Sequence, residues 1–311
     1  MMVTISVQTY NRSAVLARTL ESLRSLRCTE ATEYEILVVD NNSDDDTPEV
    51  IGRYAEVLTP RLRSVFEPRQ GLSHARNRAL AEARGQIVSF IDDDVEVDPG
   101  WLVAVCAAFE KYSATVVGGR SFLIYPEGVE RPDWLSECHE DMYSRLDYGS
   151  EPLVNTDKTL FGLNFSVLRD AALAAGGFAC GLGRRGKDLM CGEEKALLDR
   201  IRSDGGVAVY EPLAVVGHVV PAERLRRRWV LRRMYYGGVS AERLWLVTGT
   251  KSKSIWWLFI HMLRCCGSVG KAMLARGVST QEFFERQGYA AHNVGRFVER
   301  VGHLLGTRRF S

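Results

Sequence analysis

Along the first 120 residues, short apolar runs alternate with amphipathic stretches. "VTISVQT" (3–9), "EILVVD" (35–40), "LRSVFE" (62–67), "QIVSFID" (86–92) and "TVVGGRSF" (115–122) have the length and side-chain types of strands. Between them the spacing predicts four helices. The first is capped by Ser13 and runs to about residue 26, and the second lies near 48–57. The third spans "GLSHARNRALAEARG" with Gly85 as its stop, and the fourth is opened by Pro99 in its first turn. Strands that are apolar throughout, alternating with helices, predict an α/β fold with a mainly parallel sheet covered on both faces.

The regularity fades over 121–220, which is richer in Gly, Trp and acidic residues and reads as an elaboration of the same sheet. From 221 to 311 the pattern is helical. That division gives three stretches, 1–120, 121–220 and 221–311. At 311 residues, 46% hydrophobic and 25% charged, the chain has an ordinary soluble composition and can bury a large core. Seven cysteines, an odd number with no CxxC pair, argue against a disulfide framework. "MMVTISVQTYNRS" enters a strand pattern directly, with no secretory signal. The longest aromatic-aliphatic run, 254–263, has about half the length of a membrane-spanning helix. A cytoplasmic location is therefore expected, and the Asn-x-Ser matches at Asn11, Asn41 and Asn164 carry no glycosylation meaning.

Net charge is +1, but it is unevenly spread. Residues 221–311 hold 17 Lys and Arg against five Asp and Glu, a net of +12, which leaves −11 on residues 1–220. An acidic body and a basic tail suggest two electrostatic tasks.

The acidic residues gather at strand ends. The first strand ends in Gln8-Thr9-Tyr10-Asn11, the second in Asp40-Asn41-Asn42 and the fourth in Asp92-Asp93-Asp94. Ligands of open parallel sheets bind outside the carboxyl ends of the strands. If strands one, two and four are neighbours, their tips form one carboxylate-rich crevice. On an extended strand Asp92 and Asp94 point to one side and Asp93 to the other. Two carboxylates so placed suit a hard divalent cation, Mn²⁺ or Mg²⁺, that takes its remaining ligands from a diphosphate. Asp44, Asp45 and Asp46 read as loop chemistry.

"SVQTYNR", "EILVVDNNSDDDT", "GLSHARNRAL", "IVSFIDDDVEVDPGWL" and "GEEKALLDRI" occur in the order typical of glycosyltransferase family 2, which the chain resembles over about residues 1–220. The resemblance implies a GT-A fold and inverting sugar transfer from a nucleotide diphosphate. The stretch 1–120 would then be the nucleotide-sugar-binding half and 121–220 the acceptor-binding and catalytic half. By the same resemblance Thr9, Tyr10, Asp40 and Arg76 line the base and ribose pocket, and Asn11, Asn42 and Asp93 join the donor site. Asp92 and Asp94 form the DxD metal motif, and His218 is a position that can complete the metal shell or contact diphosphate. Asn164 resembles an acceptor- or sugar-facing segment.

Two departures from the family pattern stand out. Many relatives carry a second acid after Asp40, where this chain has Asn41, and the usual Glu-Asp acid pair is here Glu193-Glu194. Inverting transfer needs one general base for the acceptor hydroxyl. A Gly-led helix start favours carboxylates, and Glu194 is the expected base with Glu193 assisting. "RLRRRW" is similar to the QxxRW motif of processive synthases with Leu225 in place of Gln, so Arg228 and Trp229 are candidate diphosphate or acceptor contacts without processivity. "GLGRRG" (181–186) matches GxGxxG, but no strand of normal length precedes it, so it reads as an acceptor loop.

The basic tail contains no nucleic-acid reading module, and no nucleic acid is expected as partner. Its Arg and Lys interleaved with Trp, Tyr and Leu fit an anionic membrane surface, which would bring the site near a lipid-linked acceptor. A packed helical extension or an oligomer contact, with solvated arginines, fits equally. The competing readings of the whole chain are a catalytically silent scaffold subunit and a nucleotidyltransferase. Asp92, Asp94 and Glu194 argue against the first, and the absence of glycine in "VQTYNRS" argues against the second.

Overall fold

The computed structural model describes residues 1–29, 32–186, 188–248, 255–273 and 278–307. The chain divides into two compact units. One comprises 1–124, 144–179 and 193–219, and the other comprises 125–143, 180–192 and 220–311.

The first unit is built on one sheet. Its strands are β1 (Met2–Thr9), β2 (Glu33–Asp40), β3 (Leu62–Phe66), β4 (Ile87–Asp92), β5 (Val95–Val97), β6 (Val116–Ile124), β7 (Leu153–Val154), β8 (Asn164–Leu168) and β9 (Ala208–Val219). They lie in the order β3-β2-β1-β4-β8-β6-β9-β5, with β7 pairing β9. β1 to β4 pair in parallel, while β8 inserts antiparallel between β4 and β6. Successive residues of a strand face opposite sides, and both sides are covered. Ile36 and Val38 of β2 pack in one core with Leu16 and Leu20 of α1 (Ser13–Leu23) and Trp101 of α4 (Trp101–Tyr112). Leu37 and Val39 pack in the other with Ala75 and Ala79 of α3 (Leu72–Glu82) and Leu197 of α6 (Glu193–Ser203). Helices α2 (Thr47–Val57) and α5 (Arg169–Ala174) complete the unit.

Several boundaries differ from the sequence pattern. Ser13 does not cap α1. It is the first helical residue, and its backbone N–H donates to Asp45 Oδ2 at 3.1 Å. Gly85 is not a helix stop, since α3 already ends at Glu82. A Cβ at Gly85 would overlap the Thr4 backbone nitrogen, so glycine there allows close chain approach. β5 has no signal of its own, because a three-residue strand is too short to show a period.

The second unit holds α7 (Arg227–Thr248), α8 (Ile255–Met273) and α9 (Thr280–Leu304). Ser279 caps α9, its Oγ accepting the Glu282 N–H at 3.1 Å. α7 and α9 cross at Gly238 and Gly295, where an added Cβ would overlap the His292 and Tyr235 carbonyl oxygens respectively. Beside this crossing Glu242 and Glu299 are fully buried, ion-paired to Arg243, Arg296 and Arg300. Three arginines of the tail are thus packed against buried glutamates, contrary to the solvated arginines expected of a packed extension. Among the described residues, no helix is long and apolar enough to cross a membrane.

Candidate active site

β2, β1 and β4 are adjacent, with Thr9 in register with Asp40 and Gln8 with Asp92, so three polar strand ends meet. β4 stops at Asp92 and the chain turns, which ends the strand alternation. Asp92 and Asp94 consequently go separate ways, against the expectation that they share a side. Asp93 and Asp94 instead share the guanidinium of Arg12, which reaches Asp94 Oδ2 at 2.9 Å and also bonds Asp93. Thr9 Oγ1 donates to Asp93 Oδ2 at 2.8 Å. Burial pushes the Asp93 carboxyl up to about 6, with Arg12 opposing the shift and Asp94 adding to it. Burial works against the Arg12 charge, but Asp93 and Asp94 outweigh it and raise the guanidinium's pKa.

His218 stands in register with Val95, and its Nε2 lies 3.3 Å from Asp94 Oδ2, with both side chains buried. A carboxylate oxygen beside an imidazole nitrogen is a donor pair that suits Mn²⁺ or a similar divalent ion. Among the described residues no group of three or more His, Cys, Asp or Glu encloses a metal position. The Asp94–His218 pair therefore fits a cation that takes most of its ligands from elsewhere. Asp92 is not part of this pair.

Asp92 belongs to a second cluster centred on Arg76 of α3. Arg76 Nη1 donates to Glu193 Oε1 at 2.8 Å and Nη2 to Asp92 Oδ1 at 3.2 Å, while Glu194 Oε2 lies 3.9 Å from Nη1. Phe178 and Phe90 lie against the guanidinium, with ring centroids at 5.5 and 6.0 Å. A Cβ at Gly162 would overlap it. Arg76 is thus 2% exposed, and it ties the strand-end acid to the two glutamates instead of lining a base and ribose pocket. Burial and then the Glu194 charge push the Glu193 carboxyl up to about 8, with Arg76 holding it down less strongly. Oε2 of Glu193 and Oε2 of Glu194 have no hydrogen-bond partner. Glu194 is the more accessible of the two, at 14% of its side chain against 3%.

The remaining candidates divide into rim and framework. Tyr10 and Asn42 are exposed at the rim, Asn42 in the left-handed region with φ 69°. Asp40 Oδ1 accepts the Ser43 N–H at 3.0 Å and so shapes its own turn. Asn11, also left-handed at φ 51°, exchanges hydrogen bonds with Asp44. The run "NNSDDDTP" is therefore an ordered brace: Asp44 holds Asn11, and Asp45 holds Ser13 and Thr47.

Asn164 does not face a ligand. Its Oδ1 accepts from Trp101 Nε1 at 2.9 Å and its Nδ2 donates to Ala214 O at 2.8 Å and Arg120 O at 3.2 Å, all inside the sheet. Trp229, in the second unit, stacks on Tyr143 with centroids 5.3 Å apart, and Arg228 is exposed there.

Arg12 and Gly162 escaped the sequence reading, and Asn41, noted there as a departure, has a role that the sequence did not show. Arg12 follows "TYN" but has no charged neighbour in sequence to single it out. Asn41 anchors the loop before α3: Nδ2 donates to Arg69 O at 2.8 Å and Glu67 O at 3.1 Å, and Oδ1 accepts the Gly71 N–H at 2.7 Å. An acid at this position would set a carboxylate against two carbonyls, which accounts for the amide here. Gly162 is visible only once Arg76 is seen against it.

The family model described as glycosyl transferase family 2 matches residues 4–170. The succinoglycan biosynthesis protein ExoM of Rhizobium meliloti (strain 1021) is 28% identical over 77% of this chain and 74% of its own length. The glycosyltransferase AglE of Haloferax volcanii is 25% identical over 88% of this chain and 89% of its own. Among solved structures, the mannosyltransferase PcManGT from Pyrobaculum calidifontis, in complex with GDP-Man and Mn²⁺, superposes with a TM-score of 0.65. It is 20% identical, over 99% of this chain and 88% of the other. GalNAc-T7 with UDP, GalNAc and Mn²⁺ superposes at 0.55, covering 78% of this chain and 51% of the other at 19% identity. These likenesses show the GT-A fold, as expected from the five motifs.

Proposed function

The chain belongs to glycosyl transferase family 2 and is a glycosyltransferase; from that premise we propose that it transfers a sugar with inversion from a nucleoside diphosphate to an acceptor hydroxyl, with a divalent cation at Asp94 and His218. The observation that carries the reading is the charge deficit at the strand ends. Among the described residues, the five acidic side chains Asp92, Asp93, Asp94, Glu193 and Glu194 have Arg12 and Arg76 as arginine partners, with His218 beside Asp94. When bound, Mn²⁺ or Mg²⁺ would supply Lewis-acid charge for a leaving diphosphate.

The chain's own groups divide the remaining work. Burial, and then the neighbouring Glu194, push the Glu193 carboxyl up to about 8, so Glu193 holds its proton at neutral pH. Arg76 fixes Glu193 and leaves Glu194, the more open of the two, to take a proton. The acceptor oxygen forms its bond to the anomeric carbon as the bond to the diphosphate oxygen breaks. Its proton passes to Glu194. Thr9 and Arg12 hold Asp93 and keep the turn that presents Asp94. Tyr10, Asp40 and Asn42 are proposed for the donor's nucleoside end, from their place at the neighbouring strand tips. An acceptor hydroxyl on a growing polysaccharide is supported by the relative named for succinoglycan biosynthesis.

The test is release of nucleoside diphosphate from a panel of UDP-, GDP- and dTDP-sugars with Mn²⁺ present. Glu194→Gln is expected to lower turnover by about 10²- to 10⁴-fold while nucleotide binding stays unchanged. Undiminished turnover, or loss of turnover and binding together, would remove Glu194 as the base.

A further inference from the structure

We propose that the outward face of α8 docks on an anionic lipid surface. Most of the large apolar side chains that the second unit leaves exposed lie on α8 and α9. Met262 is 39% exposed, Leu263 54%, Met273 79% and, on α9, Tyr289 60%. Helical geometry places Met262, Cys266 and Met273 within about 40° of one another around α8, with Leu263 about 60° further on. Cys266 is exposed with them. Arg264 and Lys271, both exposed, lie about 80–100° beyond Leu263 and so flank it on the side away from Met262, with the buried Ser268 about 40° past Arg264. A helix that merely covers a protein core turns polar residues outward. Over residues 262–273, α8 turns Met262, Leu263 and Met273 outward.

Charge identifies the occupant. No Asp or Glu occurs in the 19 residues of α8, so its charged edge is wholly basic. The region 221–311 adds a long-range field of the same sign. Of its five acids, Glu242 and Glu299 are buried in arginine pairs and Glu282 pairs with Arg286. An apolar stripe with a basic edge and no acid is the pattern of a helix lying in the plane of an anionic bilayer. A second copy is the poorer occupant. Antiparallel self-pairing centred near Gly267 would set Arg264 of one copy opposite Lys271 of the other.

This docking stands apart from the transfer reading, since lipid partition is measured without donor or acceptor. The experiment is co-sedimentation of the full chain with phosphatidylcholine vesicles, with and without phosphatidylglycerol. The wild type should pellet with the anionic vesicles, weakly with the neutral ones, and less as salt is raised. Leu263→Glu should lower partition by at least about tenfold, and Arg264→Glu should lower it with the apolar stripe intact. Both sites are exposed, so the urea unfolding curves of the variants should match the wild type. Absence of partition, or partition that Leu263→Glu retains, would overturn the proposal. So would a wild-type dimer that Leu263→Glu dissolves.

Discussion

Each unit buries a cluster of carboxylates, and the two clusters are balanced in opposite ways. In the helical unit Glu242 and Glu299 are met by Arg243, Arg296 and Arg300, so positive charge exceeds negative. In the sheet unit, among the described residues, five acidic side chains share Arg12 and Arg76, so even with Glu193 protonated the acids outnumber the arginines. There burial first, and the neighbouring carboxylates after it, raise the carboxyls of Asp93 and Glu193. A matched buried cluster serves as framework, and removing one partner strands the other. A cluster short of positive charge is poised to accept a cation and a proton, as a functional site must. Burial of ionised groups alone does not mark a site; their imbalance does.

The comparison can be broken most severely by neutralising one acid in each cluster. Glu299→Gln removes the buried charge partner of the partly buried Arg243, which keeps its bond to the Gly181 carbonyl, and should cost about 1–3 kcal/mol in urea unfolding at neutral pH. Glu193→Gln replaces a carboxyl that has to take up a proton on folding at neutral pH, so it should not destabilise the protein and should raise the urea midpoint there. Equal losses in the two variants would remove the distinction.

A pH series sharpens it. Glu193 titrates near its ordinary 4.5 in the unfolded chain and at about 8 in the native metal-free protein, so the native state favours the protonated form. Its contribution to stability is complete below about pH 4.5 and is lost as pH rises through 8. Asp93, raised from 3.8 to about 6, loses its contribution across that lower interval. The urea midpoint of the metal-free wild type should carry this downward component between pH 4.5 and 8, and Glu193→Gln should flatten it. Identical pH profiles for the two proteins would contradict the raised Glu193.

Smaller effects probe the surroundings. Gly162→Ala pushes a methyl into the Arg76 guanidinium and should cost about 1–3 kcal/mol in thermal or urea unfolding. Its turnover should fall as well, because Arg76 positions the glutamate pair. Arg228→Ala, at an exposed site, should change stability by less than about 0.5 kcal/mol. A large loss of stability there would mean that the arginine run at the start of α7 is framework like Arg243 and Arg300.

The legible part of this chain was the part written in local periodicity. β1 to β4 and the intervening helices follow from apolar runs and breaks, and their neighbouring order brought Asp40 and Asp92–Asp94 together as expected. The unread part depends on contacts far apart in sequence. Arg76 and Glu193 are 117 residues apart, and nothing local says that the arginine points inward. Asn164 sits at the start of a short strand, where a turn and a ligand contact look alike; only the Trp101 and Ala214 partners decide for framework. Asp92 and Asp94 were separated by the turn that ends β4 one residue earlier than strand alternation requires. The segments 125–143 and 180–192 join the helical unit without any change in composition that would announce it.

The central claim is that the acidic strand ends take up a divalent cation together with a nucleoside diphosphate. Calorimetric titration of the purified protein with UDP, GDP and dTDP, each with Mn²⁺ and with a chelator, tests it most directly. One nucleotide should bind with Mn²⁺ and lose affinity by about 10- to 100-fold with the chelator or in Asp94→Asn. Binding that is equal with and without metal, or unaffected by Asp94→Asn, would contradict the account.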